Sequence, residues 1–155
     1  SFGAHVAARP RTSLKTRGNV AMCGTFGYEL DPRKLTDDEK AEVKQQIADY
    51  RKYHRLVREG DFYRLVSPTE NNFYCAWEFV SPDKQEAMMT AVVMRQPETR
   101  YCVQRLRGLD AETYYQDEET GTVYSGAMLM NAGLNLTRDV YEDGTSVTKH
   151  FKAVK

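Results

Sequence analysis

The 155-residue sequence lacks the features that would assign it to several common functional classes. Lys plus Arg and Asp plus Glu both number 22, so the chain has no net charge with which to attract nucleic acid or an anionic membrane. It contains no apolar run long enough to span a bilayer. The residues from Ser1 onward do not show the positively charged region followed by an apolar region that is typical of a signal peptide. We therefore expect no nucleic acid and no membrane among its partners.

Cysteine is also scarce. Cys23, Cys75 and Cys102 are an odd number without Cys-x-x-Cys spacing, which argues against a disulfide framework and against a zinc site. Each has apolar or aromatic neighbours in sequence, where a free cysteine is usually a small buried side chain. This pattern predicts a reducing, cytoplasmic location.

Motifs for metals and cofactors are missing as well. The sequence has no His-x-x-x-His pair, no acidic pattern of the calcium-loop type and no glycine-rich phosphate-binding motif. The sequence therefore predicts no metal and no cofactor.

One long helix is clearly marked before residue 60. Thr36 is followed three residues later by Glu39, the spacing of a capping box, and Gly60 stands where a left-handed C-terminal cap is expected. This punctuation predicts a helix that ends near Glu59. Its predicted apolar stripe comprises Val43, Ile47, Tyr50, His54 and Val57.

The segment that precedes this helix is apolar without clean alternation. The stretch GNVAMCGTFGYELD, residues 18–31, predicts one strand buried on both faces, as in a parallel sheet covered by helices. FGAHVA predicts the end of another such strand, with a loop or short helix between the two. A parallel pair with open edges is incomplete, and a closed β/α barrel needs roughly 250 residues. Residues 1–60 therefore predict the end of a barrel.

After Gly60 the sequence changes to short runs rich in Tyr, Val and Phe, separated by Gly, Pro, Asn and Asp. Runs with this spacing predict an antiparallel β-sandwich over residues 61–155. The stretch AMLMNAGLNL is compatible with a turn plus a strand and with a short helix. Trp77 lies in a strand pattern with Phe73, Cys75 and Phe79, which predicts a place in the sandwich core.

Several of these segments together carry a resemblance to a known family. The strings are GAHVAA, LKTRGNVAMCGTFGYELD, LTDDEKAEVKQQIADYRKYHRLVREGDFYRL and MNAGL. They resemble the C-terminal portion of bacterial family 36 glycoside hydrolases, the melibiase-type α-galactosidases. The resemblance implies an α/β plus all-β chain: strands seven and eight and helix eight of a (β/α)8 barrel in residues 1–60, then an antiparallel C-terminal β-sandwich domain in residues 61–155.

The resemblance also implies a reaction, the retaining hydrolysis of terminal α-linked galactose in melibiose- and raffinose-type sugars. Retaining glycosidases use two carboxylates. In this family they normally lie in Lys-Trp-Asp and Ser-Asp-Asn-like motifs, and neither occurs here. The resemblance thus implies no catalytic residue in this chain, an inactive scaffold that closes the barrel, and an enzyme that binds α-galactoside oligosaccharides as a homo-oligomer. Relatives that act on α-linked N-acetylgalactosamine or transfer galactose are not separated by this segment.

One residue is a candidate for substrate binding. His5, in GAHV, falls at the C-terminal end of a predicted barrel strand, the end at which barrel enzymes place their active sites. The alternative is a packed scaffold residue under the barrel mouth. The loop after GAHV is shorter than is usual in the family, so a binding role for that loop does not carry over.

Two non-catalytic functions are alternatives to the glycosidase interpretation. Residues 61–155 are compatible with a carbohydrate-binding module that uses Tyr114, Tyr115 and Tyr124, or with a subunit-interface domain. The acidic stretch QDEET, residues 116–120, predicts an exposed hairpin tip. The acidic residues of Asp31 to Glu39 are explained by the start of the helix.

Overall fold

The computed structural model describes residues 3–7, 12–70, 73–95, 102–139 and 142–154. It begins with strand β1 (Gly3–Ala7), helix α1 (Leu14–Ala21), strand β2 (Thr25–Glu29), a 3-10 turn at Pro32–Lys34 and helix α2 (Asp37–Glu59). β1 and β2 are parallel neighbours, with Val6 opposite Tyr28. Val6 is fully buried and packs with Leu14 and Ala21 of α1, so the helix covers the strand pair.

Helix α1 corrects the prediction of a single strand over residues 18–31. The Ser13 hydroxyl caps this helix by accepting a hydrogen bond from the Thr16 amide at 3.1 Å. Leu14, Gly18 and Ala21 are buried at helical spacing, so the first part of the predicted strand is helical and β2 begins only at Thr25. Of the two alternatives for the preceding segment, the short helix is confirmed.

Helix α2 is confirmed at both ends. The Thr36 hydroxyl accepts from the Glu39 amide at 3.2 Å, and the Glu39 carboxylate accepts from the Thr36 amide at 2.8 Å, which completes the capping box. The prediction of a left-handed C-terminal cap is wrong, because Gly60 has φ −77°. Glycine is needed here for space instead: a Cβ atom would lie 2.5 Å from the Leu56 carbonyl oxygen and 2.9 Å from that of Val80.

The predicted apolar stripe of α2 is confirmed for Val43, Ile47, Tyr50 and Val57, which are half-buried, and it is wrong for His54, which is exposed. The two fully buried residues of α2 are Gln46 and Leu56. Gln46 is buried because its side chain is fully used: Nε2 donates to the Leu14 carbonyl at 3.0 Å, and Oε1 accepts from the Tyr28 hydroxyl at 2.9 Å. Gln46 thereby ties α1, α2 and β2 together.

An antiparallel six-stranded sheet follows, in the order β3-β4-β5-β10-β7-β8. A separate two-stranded ribbon pairs β6 with β9, and a short helix, α3 (Gly126–Asn131), precedes β9. AMLMNAGLNL thus contains both a helix and a strand. The strands are β3 (Asp61–Val66), β4 (Tyr74–Val80), β5 (Glu86–Val93), β6 (Val103–Gln104), β7 (Tyr114–Asp117), β8 (Val123–Ser125), β9 (Leu134–Asn135) and β10 (Ser146–Val154).

The sheet buries side chains on both faces. One face carries the main core, which includes Met89 and Phe151 together with Leu129 of α3 and Leu134 of β9. The opposite face packs against α2, where Leu56 contacts a smaller cluster of Phe79, Met88, Tyr53, Val57 and Trp77. Trp77 therefore packs between sheet and helix, which corrects its prediction as a residue of a sandwich core. None of the helices in the described residues is long and apolar enough to cross a membrane.

Candidate functional site

His5, the predicted substrate-binding residue, lies in β1 opposite Gly27 of β2. Its side chain lies outside the described part of the structure, so its role stays a prediction. Of the acidic residues around the start of α2, Asp31, Asp37 and Glu39 have structural partners. The Asp31 carboxylate binds the Arg33 guanidinium at 2.9 Å, and Asp37 pairs with Lys40 at 3.0 Å.

The three cysteines differ in burial. Cys102 is buried and Cys75 is half-buried, in line with small packed side chains. Cys23 is exposed at the end of α1, where its thiol contacts the Val20 carbonyl oxygen at 2.9 Å, so the buried position expected for it is wrong. Burial raises the pKa of the Cys102 thiol, which disfavours the nucleophilic thiolate form.

The acidic stretch after the start of β7 is the exposed hairpin tip that its sequence predicts: it connects β7 to β8, and four of its five residues are exposed. Asp117 is the exception, at 1% exposed. Glu118 accepts hydrogen bonds from the Lys52 ammonium group at 2.5 Å and from that of Lys152 at 2.9 Å. Because Lys52 belongs to α2, this turn connects the helix to the sheet.

His150 completes this network from β10. It is 6% exposed, and its Nδ1 lies 2.6 Å from Glu118 Oε2 while its Nε2 lies 2.5 Å from Glu86 Oε1. Ionised carboxylates only accept hydrogen bonds, so an imidazole that donates from both nitrogens satisfies this geometry. The Tyr53 ring of α2 packs on the imidazole with its centroid 4.4 Å away. We call Lys52, Glu86, Glu118, His150 and Lys152 the Glu118 cluster.

The charges in the Glu118 cluster stabilise one another. Burial raises the pKa of Glu118, but hydrogen bonds from Lys152, Lys52 and His150 outweigh it and lower that pKa to about 2. The hydrogen bond to Glu118 in turn raises the pKa of Lys52 to about 12. All three partners of Glu118 are therefore held by an ionised carboxylate at neutral pH.

The Glu118 cluster has the geometry of a structural joint rather than of a glycosidase pair. A retaining glycosidase places two carboxyl groups roughly 5 to 5.5 Å apart, on either side of the scissile bond. Here the imidazole of His150 occupies the position between Glu86 and Glu118 and bonds to both. The arrangement can hold α2 on the sheet, but it leaves no place for a sugar between the carboxylates.

A second buried cation lies on the other face of β10. Lys149 is 7% exposed, and its ammonium nitrogen lies 2.6 Å from Glu119, 3.7 Å from Asp117 and 3.8 Å from Asp139. Burial lowers the pKa of Lys149, but the hydrogen bond that its ammonium group donates to Glu119 and the charges of Asp117 and Asp139 outweigh it and raise that pKa. Lys149 is therefore a charged residue that fixes the β7–β8 turn.

Glu78 in β4 is a buried acid that sequence analysis overlooked. It is 0% exposed, and its Oε1 accepts a hydrogen bond from the Arg107 amide at 2.5 Å. Its Oε2 has no hydrogen-bond partner among the described residues. Burial raises the pKa of Glu78 to about 8 and outweighs the opposing effect of Arg107. The only signal in the sequence is a lone charge inside an otherwise apolar strand.

The three tyrosines proposed for sugar binding lie in different environments. Tyr115 is fully buried; its hydroxyl donates to the Lys84 carbonyl at 2.8 Å and accepts from the Asp110 amide at 3.0 Å, so it is unavailable for stacking. Tyr114 is 56% exposed on the opposite face of the same strand. Tyr124 is half-buried and lines a groove.

A polar groove of about 590 Å³ lies between α1, α2 and β10. The Ser146 hydroxyl at its wall hydrogen-bonds to Thr16 Oγ1 and accepts from Asn19 Nδ2, both at 2.9 Å. In the described ranges, no group of three His, Cys, Asp or Glu side chains is arranged to hold a metal ion.

Two family models match this chain. Melibiase matches residues 1–60, and the glycosyl hydrolase family 36 C-terminal domain matches residues 74–151. Alpha-galactosidase AgaA of Geobacillus stearothermophilus is 48% identical over 143 residues, which cover 88% of this chain and 19% of AgaA. The bifunctional alpha-galactosidase/sucrose kinase AgaSK of Mediterraneibacter gnavus is 42% identical over 143 residues, 88% of this chain and 15% of AgaSK.

Solved structures match over nearly the whole chain. The galactosidase domain of AgaSK has a TM-score of 0.91 at 39% identity and covers 98% of this chain and 22% of that domain. A variant of AgaA in complex with raffinose has a TM-score of 0.90 at 45% identity, with the same coverage of 98% and 22%. The chain therefore spans about a fifth of the length of these relatives.

Proposed function

The chain belongs to glycosyl hydrolase family 36, and we propose that it is the non-catalytic C-terminal part of an α-galactosidase that closes the barrel of the enzyme. The parent reaction is the retaining hydrolysis of terminal α-linked galactose in melibiose- and raffinose-type oligosaccharides. Hydrolysis is favoured over galactosyl transfer by the names of the relatives, which are α-galactosidases.

The parallel pair β1–β2 is the observation that carries this proposal. In the described residues β1 pairs only with β2, and the outer edge of each strand has no neighbour. Unpaired strand edges need further strands, and a β/α barrel supplies them on both sides. The proposed division places the barrel end in residues 1–60 and a sandwich-type domain in residues 61–155; it is supported by the Melibiase match to residues 1–60 and the C-terminal domain match to residues 74–151.

The role proposed for the chain is structural. The barrel of the parent enzyme would carry both catalytic aspartates outside this chain. The Glu118 cluster supports the scaffold role, because it joins α2 of the barrel part to the sheet through charged hydrogen bonds. His5 is the proposed contact with substrate, since it lies on the strand whose C-terminal end would face the barrel mouth.

A chimera tests this function. Replacing the matched fifth of the Geobacillus stearothermophilus enzyme with this chain should give a folded protein that hydrolyses an aryl α-galactoside and raffinose. A chimera that folds with an unchanged melting temperature but shows no hydrolysis would refute the proposal. The same chimera with His5→Ala should show a raised KM, whereas His54→Ala, on the exposed face of α2, should leave KM unchanged.

We further propose that the parent enzyme is a cytoplasmic homo-oligomer. Large apolar side chains at the surface, among them Phe62 and Tyr114, are candidates for subunit contacts because they are about half exposed. Sedimentation of the chimera and of the parent enzyme would measure the assembly.

Saccharide binding by residues 61–155 is a second candidate function. Tyr115 is excluded from it by burial, and Tyr114 lines none of the described grooves. Tyr124 alone of the three tyrosines lies in a groove together with polar side chains, which is the observation that favours this function.

A further inference from the structure

The groove at Tyr124 has the size of a small-molecule site. It encloses about 540 Å³ between the β7–β8 hairpin, β9 and the residues that follow β9. Its wall includes Tyr124, Asn135, Arg138, Asp139 and Lys149. This combination of an aromatic ring, an amide, a guanidinium group and a carboxylate is suited to a ligand that both donates and accepts hydrogen bonds.

Several of these groups have hydrogen-bonding capacity that the fold does not use. Asn135 Oδ1 accepts from the Thr137 amide at 3.0 Å, but within the described ranges its Nδ2 has no partner. Among the same residues, neither the Tyr124 hydroxyl nor the Arg138 guanidinium has a partner. In the part of the chain that the structure describes, the Asp139 carboxylate has only the distant Lys149 ammonium group as a partner, at 3.8 Å. Donors and acceptors are therefore both available to a ligand.

The aromatic ring is held in place from below. Tyr124 packs edge-on against the fully buried Phe151, with ring centroids 6.4 Å apart and an interplanar angle of 77°. A ring fixed by the core is a rigid apolar platform, and it loses little conformational freedom when a ligand packs on it.

The local charge disfavours an ionic ligand. The wall of the groove carries two cations, Arg138 and Lys149, and two carboxylates, Asp117 and Asp139. An ion of either sign therefore meets like charges as well as opposite ones. A neutral molecule with many hydroxyl groups meets neither repulsion.

We propose that this groove binds a hexopyranose unit of a neutral saccharide. The apolar C–H face of the sugar packs on Tyr124, while its hydroxyl groups accept from Asn135 Nδ2 and Arg138 and donate to Asp139. The site gives the C-terminal sheet a binding role of its own.

Titration of raffinose into the ¹⁵N-labelled 155-residue chain, followed by NMR, tests the site. We expect saturable shifts at the amides of residues 124, 135 and 139, with a Kd in the millimolar range. Asn135→Asp keeps the acceptor for the Thr137 amide but removes the Nδ2 donor, and it should raise Kd about fivefold, the equivalent of one hydrogen bond. Tyr124→Leu keeps apolar packing on Phe151 and should raise Kd about tenfold through loss of the aromatic face.

Tyr114→Ala is the matched control, since Tyr114 is exposed on the opposite face of the sheet, and Kd should not change. Absence of saturable shifts would overturn the site, as would shifts elsewhere with no response to Asn135→Asp or Tyr124→Leu in well-dispersed spectra. The measurement involves no hydrolysis, so its failure leaves the proposed galactosidase role standing, and failure of the chimera leaves this site standing.

Discussion

The carboxylate of Glu118 lies 2.5 Å from the ammonium group of Lys52, although 66 residues separate them in the sequence. Glu118 is in the turn after β7 and Lys52 is in α2, so this contact joins the β/α part of the chain to the sheet. The same carboxylate also accepts hydrogen bonds from His150 and Lys152 of β10. Glu118 is thus the point at which three segments of the chain meet.

The first prediction concerns the stability of this joint. Glu118→Gln keeps the size of the side chain but removes the charge that three cationic or hydrogen-bonding partners share. We expect a loss of about 1–3 kcal/mol in the free energy of unfolding, the cost of weakening hydrogen bonds to charged groups in a partly buried site. Urea unfolding of the 155-residue chain at pH 7 measures it.

Glu59→Gln is the control for that measurement. Glu59 pairs with Arg55 and Arg58 at the exposed end of α2, where ion pairs contribute little. If both substitutions reduce stability equally, the Glu118 cluster has no special role in joining helix and sheet.

The second prediction is a loss of this contribution in acid. The pKa of Glu118 is lowered from 4.5 to about 2 in the folded chain, so its stabilising effect is complete above about pH 4.5 and disappears as pH falls toward 2. The stability difference between the wild type and the Glu118→Gln variant should shrink over that range. A difference that stays constant from pH 5 to pH 2.5 would show that the carboxylate is not held by its cationic partners.

The third prediction concerns Glu78, whose effect on the free energy of unfolding changes with pH in the opposite direction to that of Glu118. The pKa of Glu78 is raised from 4.5 to about 8, so the folded chain binds a proton that the unfolded chain releases between those values. Its contribution to stability is complete below about pH 4.5 and is lost as pH rises through 8. Glu78→Gln should therefore be nearly neutral at pH 5 and stabilising by about 3–4 kcal/mol at pH 8.

Urea unfolding at pH 5, 6.5 and 8 measures this trend. The informative quantity is the difference in the free energy of unfolding between the variant and the wild type, plotted against pH. Taking this difference cancels the contributions of the other titrating groups, so its slope reports on Glu78. Parallel pH profiles for the two proteins would mean that Glu78 is already ionised in the folded chain.

The fourth prediction concerns the connection between α2 and β3. Gly60→Ala places a Cβ atom 2.5 Å from the Leu56 carbonyl oxygen and 2.9 Å from that of Val80, and both are backbone atoms that cannot rotate away. We expect a loss of about 1–3 kcal/mol as the helix end and β4 move apart. Gly121→Ala is an informative comparison, because Gly121 has φ +71° and an added Cβ would make only an ordinary contact with Gln116 Nε2 at 3.9 Å, so its cost arises from backbone strain. Equal melting temperatures for wild type and Gly60→Ala would contradict the close approach.

Much of this fold was predictable because its signals are local. The capping box of Thr36 and Glu39 acts within one helical turn, and it located the start of α2 correctly. The runs that form β3, β4, β5 and β10 were equally visible, since each alternates or is apolar over six or more residues. The boundary of β2 was misplaced because Gly18 and Ala21 are small apolar residues compatible with either a strand or a packed helix face.

The contacts that matter for the candidate sites were not predictable, because they join residues distant in sequence. In the sequence, Glu118 is part of an acidic turn, and its contacts with Lys52 and His150 arise only in the folded chain. Glu78 reads as one charge in a strand, and its burial depends on the loop around Arg107. Tyr115 and Tyr124 face each other in the β7–β8 register, yet one is fully buried and the other lines a groove.

Complementation in trans tests the central claim most directly. The Geobacillus stearothermophilus relative, truncated before its matched region, would be mixed with this 155-residue chain, and hydrolysis of an aryl α-galactoside would be followed for each part alone and for the mixture. We predict no hydrolysis by either part and measurable hydrolysis by the mixture, because the proposed function assigns the catalytic aspartates to the truncated relative and the closure of the barrel to this chain. Hydrolysis by the 155-residue chain alone would contradict the account.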